Sequence, residues 1–368
     1  MASRTRRRIR YAVVGLGHIA QASVLPAFAR AKNNSELVAL VSGDAEKLET
    51  LGRRYEVAHR FSYDHFAQCL PLVDAVYVCT PNTAHLRFAV EAALGGVHVL
   101  CEKPLAASDD DCRRMLAARD SGGVKFMTAY RLHFEPSTLA VVDLARRGQL
   151  GDLRYVTSSF SLRTTPGGIR TRPETGGGAL WDIGIYCINA ARMFFGAEPV
   201  RVSACAIPGA RSDMPDVDET TSAWLHFDGD RLATFTCSFD AADVSTCRLV
   251  GTTGDVVLDP AFSTSEPIGY TVTTDGTTRR HKGRRVDQFA AELVYFSRCI
   301  LDDVPPEPSA EEGAWDVHII EALYRSMREG TAIALPAFAD AVPHRGQRIA
   351  LPPPATKPRL VNVQPPHD

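Results

Sequence analysis

The chain has 368 residues and a mass of 40.1 kDa, enough for two domains at roughly 100 to 200 residues each and for a core that needs no disulfide staples. Hydrophobic residues at 45% and charged residues at 23% exclude a disordered, collagen-like or membrane-spanning class. Forty-one Lys and Arg against 43 Asp and Glu leave a net charge of −2, which offers no global attraction to nucleic acid or an anionic membrane and points to a small-molecule partner.

The first residues carry Arg6-Arg7-Arg8, and with the apolar stretch from Tyr11 to Ala29 they can be scored as an exported twin-arginine signal. A strand over 9–14, a glycine turn and a helix over 18–30 use the same residues better, and a cut after Ala29 would destroy that unit. Nine cysteines without a Cys-x-x-Cys pair fit a reducing cytoplasm, with neither a disulfide framework nor a metal site. Further strands are predicted over 37–42, 74–80, 97–102 and 125–129, where β-branched residues dominate short apolar runs. Helical patterns over 44–55, 84–94 and 108–120 separate them, the last with Ser108 as N-cap. This alternation implies an α/β fold, a doubly wound parallel sheet of the Rossmann type, over residues 1–126.

Beyond residue 150 the pattern becomes strands in close succession: 153–162, 200–207, 220–227, 232–239, 246–251 and 270–274. They predict an α+β domain over 127–340 with a large, open, mostly antiparallel sheet, covered on one face by helices over 180–195, 286–301 and 310–328. The prolines of 341–368 predict an extended tail.

Gly15-Leu16-Gly17-His18-Ile19-Ala20 is G-x-G-x-x-A between a strand and a helix. Gly15 permits the tight turn, Gly17 lets a pyrophosphate approach the backbone, and Ala20 lets the helix pack closely on the strand. In NAD enzymes a carboxylate at the end of the second strand takes the adenosine ribose; here Ser42 and Gly43 stand there and Lys47 follows. That exchange favours the 2′-phosphate of NADP, while the neighbouring Asp44 leaves NAD as the alternative.

Thr80-Pro81-Asn82, with His85 at the next helix start, and Glu102-Lys103-Pro104 after the fifth strand resemble the glucose-fructose oxidoreductase/inositol dehydrogenase/rhizopine catabolism (Gfo/Idh/MocA) family. Val41 to Lys47, Tyr130 to Pro136 and Gly176 to Tyr186 are most similar to its glucose-fructose oxidoreductase branch. The resemblance implies a cofactor, NAD or NADP, in the first domain, a sugar or polyol between it and the second sheet, and a homodimer or homotetramer through that sheet. It also implies a cis peptide bond before Pro104. The long signal and arm of the exported branch have no counterpart here, so permanent retention of the cofactor does not carry over.

Removing hydride from a carbinol carbon requires a base at its hydroxyl. Lys103 leaves the C-terminal end of a parallel strand, the ligand edge of such sheets. Asp182, Tyr186 and Asn189 stand at i, i+4 and i+7 and predict one helix face. A phenol is a poor base until a nearby ammonium stabilises its anion. Tyr186 is therefore expected as general acid/base, Lys103 as the group that tunes it, and Asp182 as a ligand for substrate hydroxyls. Arg131 and Arg172 are expected on the substrate or nicotinamide side, and for His85 a structural role competes with a cofactor role. His133, His226 and His318 lack metal-ligand spacing. Two alternatives remain on the same fold: a redox-assisted glycosidase with no net redox change, and a non-catalytic NADP or sugar sensor.

Overall fold

The structure is a computed structural model, and it describes residues 7–165, 167–208, 217–338, 349, 351–352 and 358–363. In the first unit six strands, β1 (Ile9–Val14), β2 (Ser35–Val41), β3 (His59–Phe61), β4 (Ala75–Val78), β5 (His98–Glu102) and β6 (Phe126–Ala129), form one sheet in the order β3-β2-β1-β4-β5-β6. Every pair is parallel. The order reverses between β1 and β4, the switch point at whose carboxyl edge such sheets bind ligands. Helices Ala45–Arg54, His85–Leu94 and Asp109–Gly122 connect the strands. Ser108 caps the last of them by accepting from the Asp111 amide at 3.1 Å, as its sequence predicts.

Nine strands form the sheet of the second unit: β7 (Leu153–Arg163), β8 (Pro199–Pro208), β9 (Asp218–Phe227), β10 (Arg231–Ser238), β11 (Asp240–Gly251), β12 (Gly254–Leu258), β13 (Tyr270–Thr274), β14 (Thr277–His281) and β15 (Ile333–Ala334). Their order is β14-β13-β12-β11-β7-β10-β9-β8-β15, and all neighbours are antiparallel except β10 with β7. Residues alternate along β9: Thr221, Ala223, Leu225 and Phe227 are buried, whereas Ser222, Trp224 and His226 face the other way. Helices Ile185–Phe195 and Ala310–Glu329 bury Ile188, Phe194, Ile319, Ile320 and Leu323.

The division of the chain differs from the expected boundary at 126. The first compact unit runs to Phe134 and takes in Asp287–Gly313 and the described residues from Ile349 onward. Helix Gln288–Leu301, expected over the second sheet, therefore belongs to the nucleotide unit. Its Phe289, Leu293 and Phe296 join the core of Tyr11, Val13 and Leu40, and Ser297 Oγ meets Tyr11 Oη at 2.8 Å and Ser35 Oγ at 2.7 Å. The tail is corrected in part: Ile349, Leu351 and Val361 pack on the same core, while 339–348 lie outside the described residues.

Candidate active site

The glycine loop is shaped by β4 beside it. Gly15 has φ +90°, and a Cβ there would stand 2.8 Å from backbone atoms of Cys79 and Thr80, so glycine is required by the chain itself. Gly17 differs, because an added Cβ meets nothing within 4 Å. The loop does not need glycine at 17 for its own packing; a ligand approaching the backbone would. His18 and Ile19 are partly exposed on the same loop, and Ala20 is fully buried. The helix begins with a π turn, Ala20–Val24, where a regular α-helix is expected from the sequence.

At the end of β2, Ser42 is buried and its Oγ accepts from the Asp44 amide at 3.2 Å. Asp44 caps helix Ala45–Arg54, accepting from the Lys47 amide at 3.0 Å, with Lys47 Nζ 3.8 Å from its other oxygen. The Lys47 amide, then Asn362 and the Lys47 charge hold the Asp44 carboxyl below its ordinary range. Ser42, Gly43 and Lys47 thus share one corner, lined also by Tyr63, whose ring lies 3.2 Å from a Cβ added at Gly43.

At the end of β4, Thr80 Oγ1 is buried with no partner among the described residues. Pro81 and Asn82 begin the turn that follows. His85 is fully buried, its Nε2 2.9 Å from the Thr80 carbonyl and its Nδ1 3.0 Å from the Pro104 carbonyl. Burial pushes this imidazole down, so the neutral ring donates to one carbonyl at a time. His85 thereby ties the Thr80 loop to the Lys103 loop, in keeping with the structural role that competes with a cofactor role in the sequence.

The peptide bond between Lys103 and Pro104 is cis, as the resemblance implies. Lys103 is partly exposed at the carboxyl end of β5, and Glu102 beside it is buried. Tyr77 Oη lies 3.0 Å from Glu102 Oε1 and 2.9 Å from Glu292 Oε2. Arg131 is also buried, donating to Gln288 Oε1 at 2.7 Å. Glu102 and Arg131 thus support the strand ends from within. An open Gly17 and an unpartnered buried Thr80 hydroxyl at the switch point fit a dinucleotide, with Gly15 to Ile19, Ser42, Lys47 and Thr80 as the residues able to hold it.

The second unit carries the other predicted group. Its helix begins in a π turn, Leu180–Gly184, and continues as Ile185–Phe195. Asp218 accepts from the Leu180 amide at 2.8 Å and from Thr221 Oγ1 at 2.9 Å, and Tyr324 donates to its other oxygen. Asp182 Oδ2 pairs with Arg170 Nε at 3.0 Å. Tyr186 is half-buried between Phe160 and Phe262, with ring centroids 5.8 and 6.2 Å away. Asn189 is not at the site expected for it: its Nδ2 donates at 2.9 Å to buried Asp316. Asp316 also holds fully buried Arg192 at 2.6 Å.

Arg172 is exposed, with its carbonyl accepting from the Gly177 amide. Arg170, not singled out in the sequence, is the arginine that meets Asp182. Its place follows from Gly176 to Gly178: a Cβ at Gly177 would lie 2.4 Å from the Arg170 carbonyl oxygen, so the triple glycine lets this loop fold onto the helix start.

Residues 9–130 match the model of the oxidoreductase family with an NAD-binding Rossmann fold, and residues 138–257 match the GFO/IDH/MocA C-terminal domain. D-xylose 1-dehydrogenase [NADP(+)] of Haloarcula marismortui is 31% identical over 337 residues, 89% of this chain and 93% of that protein. The chain belongs to the Gfo/Idh/MocA oxidoreductase family. Among solved structures, this family member is similar to the aldose-aldose oxidoreductase of Caulobacter crescentus complexed with glycerol. The TM-score there is 0.85 at 36% identity, covering 89% of this chain and all of that one. A 3-ketoreductase of Actinomadura kijaniata in complex with NADP and TDP-benzene gives a TM-score of 0.80 at 26% identity, over 87% and 98% of the two chains. No helix among the described residues of the Gfo/Idh/MocA chain is long and apolar enough to cross a membrane.

Proposed function

We propose that the protein is an NADP-dependent sugar oxidoreductase that oxidises a carbinol carbon of an aldose or related polyol, or reduces the matching carbonyl. The observation that carries this reading is the pair of features at the switch point, Gly17 open to approach and the Thr80 hydroxyl buried with no partner among the described residues, together with Lys103 at the end of β5. Membership of a family with NADP-linked sugar dehydrogenases supports the substrate class. When bound, NADP supplies the hydride acceptor or donor. Lys103 holds the reacting hydroxyl, and Tyr186 takes the hydroxyl proton during oxidation and returns it during reduction. Asp182, oriented by Arg170, receives neighbouring sugar hydroxyls. The protein acts in the cytoplasm as a homodimer or homotetramer through the open face of its nine-stranded sheet.

The test is a screen of aldoses, ketoses and polyols with NADP and NAD, followed through nicotinamide absorbance. Turnover is expected with NADP, and Tyr186→Phe should lower kcat by about 10² to 10⁴-fold while NADPH still binds. Binding of NADPH with no turnover on any sugar would instead establish a sensor, and release of an aglycone without net reduction a glycosidase. Similarity to an aldose-aldose oxidoreductase supports one refinement, in which a second sugar reoxidises the cofactor before release. Protein that purifies with NADP and converts two sugars without added cofactor would bear this out.

A further inference from the structure

The described C-terminal residues 358–363 lie against the two elements that frame the adenosine half of a Rossmann site. Gln21, in the first turn after the glycine loop, is 1% exposed and spends its whole amide on this arrangement. Its Nε2 donates to the Leu16 carbonyl of the loop and to the Val361 carbonyl, both at 2.9 Å, and its Oε1 accepts from the Val361 amide at 2.7 Å. One residue on, Asn362 has φ +49°, a left-handed conformation that asparagine tolerates better than most residues. Its Nδ2 donates to Glu46 Oε2 at 2.8 Å and to Asp44 Oδ2 at 3.3 Å. The Arg359 carbonyl accepts from Arg54, at the far end of the same helix. Val361 meanwhile packs on the core beneath.

The chemistry of that corner gives these contacts a purpose. Asp44 and Glu46 are two carboxylates within four residues of Ser42, where the absence of an acid favours a 2′-phosphate. Unanswered, they would oppose the dianion that Lys47 attracts. Asn362 directs its amide at those two carboxylates without adding charge, and the Lys47 ammonium stands 3.8 Å from the same Asp44 oxygen.

We propose that residues 358–363 are a specificity strap for the cofactor, in which Asn362 answers the Asp44 and Glu46 carboxylates and Gln21 fixes the segment to the glycine loop, so that a dinucleotide bearing a 2′-phosphate is preferred. The inference rests on the nucleotide-binding reading above and adds the determinant of selectivity at that site. It is tested by titrating NADPH and NADH, through their fluorescence, into wild type, Asn362→Asp, Asn362→Ala and a chain ended after residue 357. A third carboxylate at 362 is expected to lower the NADPH-to-NADH affinity ratio about tenfold, equal to about 1.4 kcal/mol. The shortened chain should lose selectivity in the same direction and release NADPH faster, and Asn362→Ala should fall between. A ratio is insensitive to the fraction of folded protein, so partial unfolding does not imitate the result. An unchanged ratio in both Asn362→Asp and the shortened chain, with a lower Tm, would overturn the strap and leave a structural pin. Wild type that bound neither dinucleotide would overturn the nucleotide reading itself, and the strap with it.

Discussion

Tyr77 makes two contacts that one phenol cannot satisfy alone. Its hydroxyl carries a single proton, yet carboxyl oxygens of Glu102 and Glu292 both lie within 3.0 Å, so a second proton must sit on one of the acids. Burial pushes both carboxyls up; for Glu102 the Lys103 charge counters it, whereas for Glu292 the Glu102 charge adds to it and the carboxyl rises well above the ordinary range. Glu292 therefore carries the proton, and Glu102 remains the anion next to Lys103. Unfolded, Glu292 ionises near its ordinary value; folded, it stays protonated to higher pH. Its contribution to stability is thus complete below the unfolded value and is lost as pH rises through the raised folded one. Between the two values the loss is about 1.4 kcal/mol per pH unit for one proton. Glu292→Gln keeps a donor toward Tyr77 and has no proton to lose, so its Tm should fall less steeply than that of wild type as pH rises above the ordinary carboxylate range. Parallel Tm profiles would refute the assignment. Glu292→Leu, which removes the acid that donates to the buried Tyr77 oxygen, is expected to cost about 1 to 3 kcal/mol in denaturant unfolding.

The glycine loop separates what the chain needs from what a ligand needs. Gly15→Ala places a Cβ on the backbone of Cys79 and Thr80 at a positive φ, and should cost about 2 kcal/mol or more of stability. Gly17→Ala meets no atom, so its stability should stay within about 0.5 kcal/mol of wild type while NADPH affinity falls about tenfold or more. Isothermal titration beside thermal melts reads both, and a Gly17→Ala protein that binds NADPH as tightly as wild type would remove the pyrophosphate from this loop. The motif was legible because strand, turn and helix are encoded locally, and β1 stands where the apolar run places it. Other elements were not. β3 has three residues, His59, Arg60 and Phe61, and forms only because β2 offers an edge. All five residues of β14 are exposed, so no alternation marks it. Helix Gln288–Leu301 was visible as a helix, but an apolar face does not say what covers it, and its partner Tyr11 is 286 positions away. Separations of 215 and 340 positions likewise hid Glu292 from Tyr77 and Val361 from Gln21. Lys103, Asp182 and Tyr186 could be named from motifs, whereas Arg170 needed the fold of the triple-glycine turn.

For the molecule as a whole, the nine-stranded sheet poses the question of what meets its outer face. That face is neither a normal polar exterior nor a core: Tyr155, Leu232 and Val244 are exposed on it among threonines and serines. A shallow depression of about 490 Å³ is lined by Ser159, Ser203, Ser222, Trp224 and Thr234. The edges, by contrast, are guarded. β14 at one end is wholly exposed and carries Arg279 and Arg280, and β15 at the other has only two residues, features that discourage strand addition. Such a face is consistent with the association proposed above, with a second copy of the chain as its occupant. Light scattering should then give a mass of two or four times 40.1 kDa. Thr234 lies on β10, between β7 and β9 near the middle of the sheet. An arginine there would bury an unpaired charge at a face-to-face contact, a penalty of several kcal/mol against assembly. Thr234→Arg should therefore run at the monomer mass and still bind NADPH, because the nucleotide residues all belong to the first unit. Wild type at 40.1 kDa would refute subunit association altogether, and a Thr234→Arg protein that still assembles would place it elsewhere on the surface.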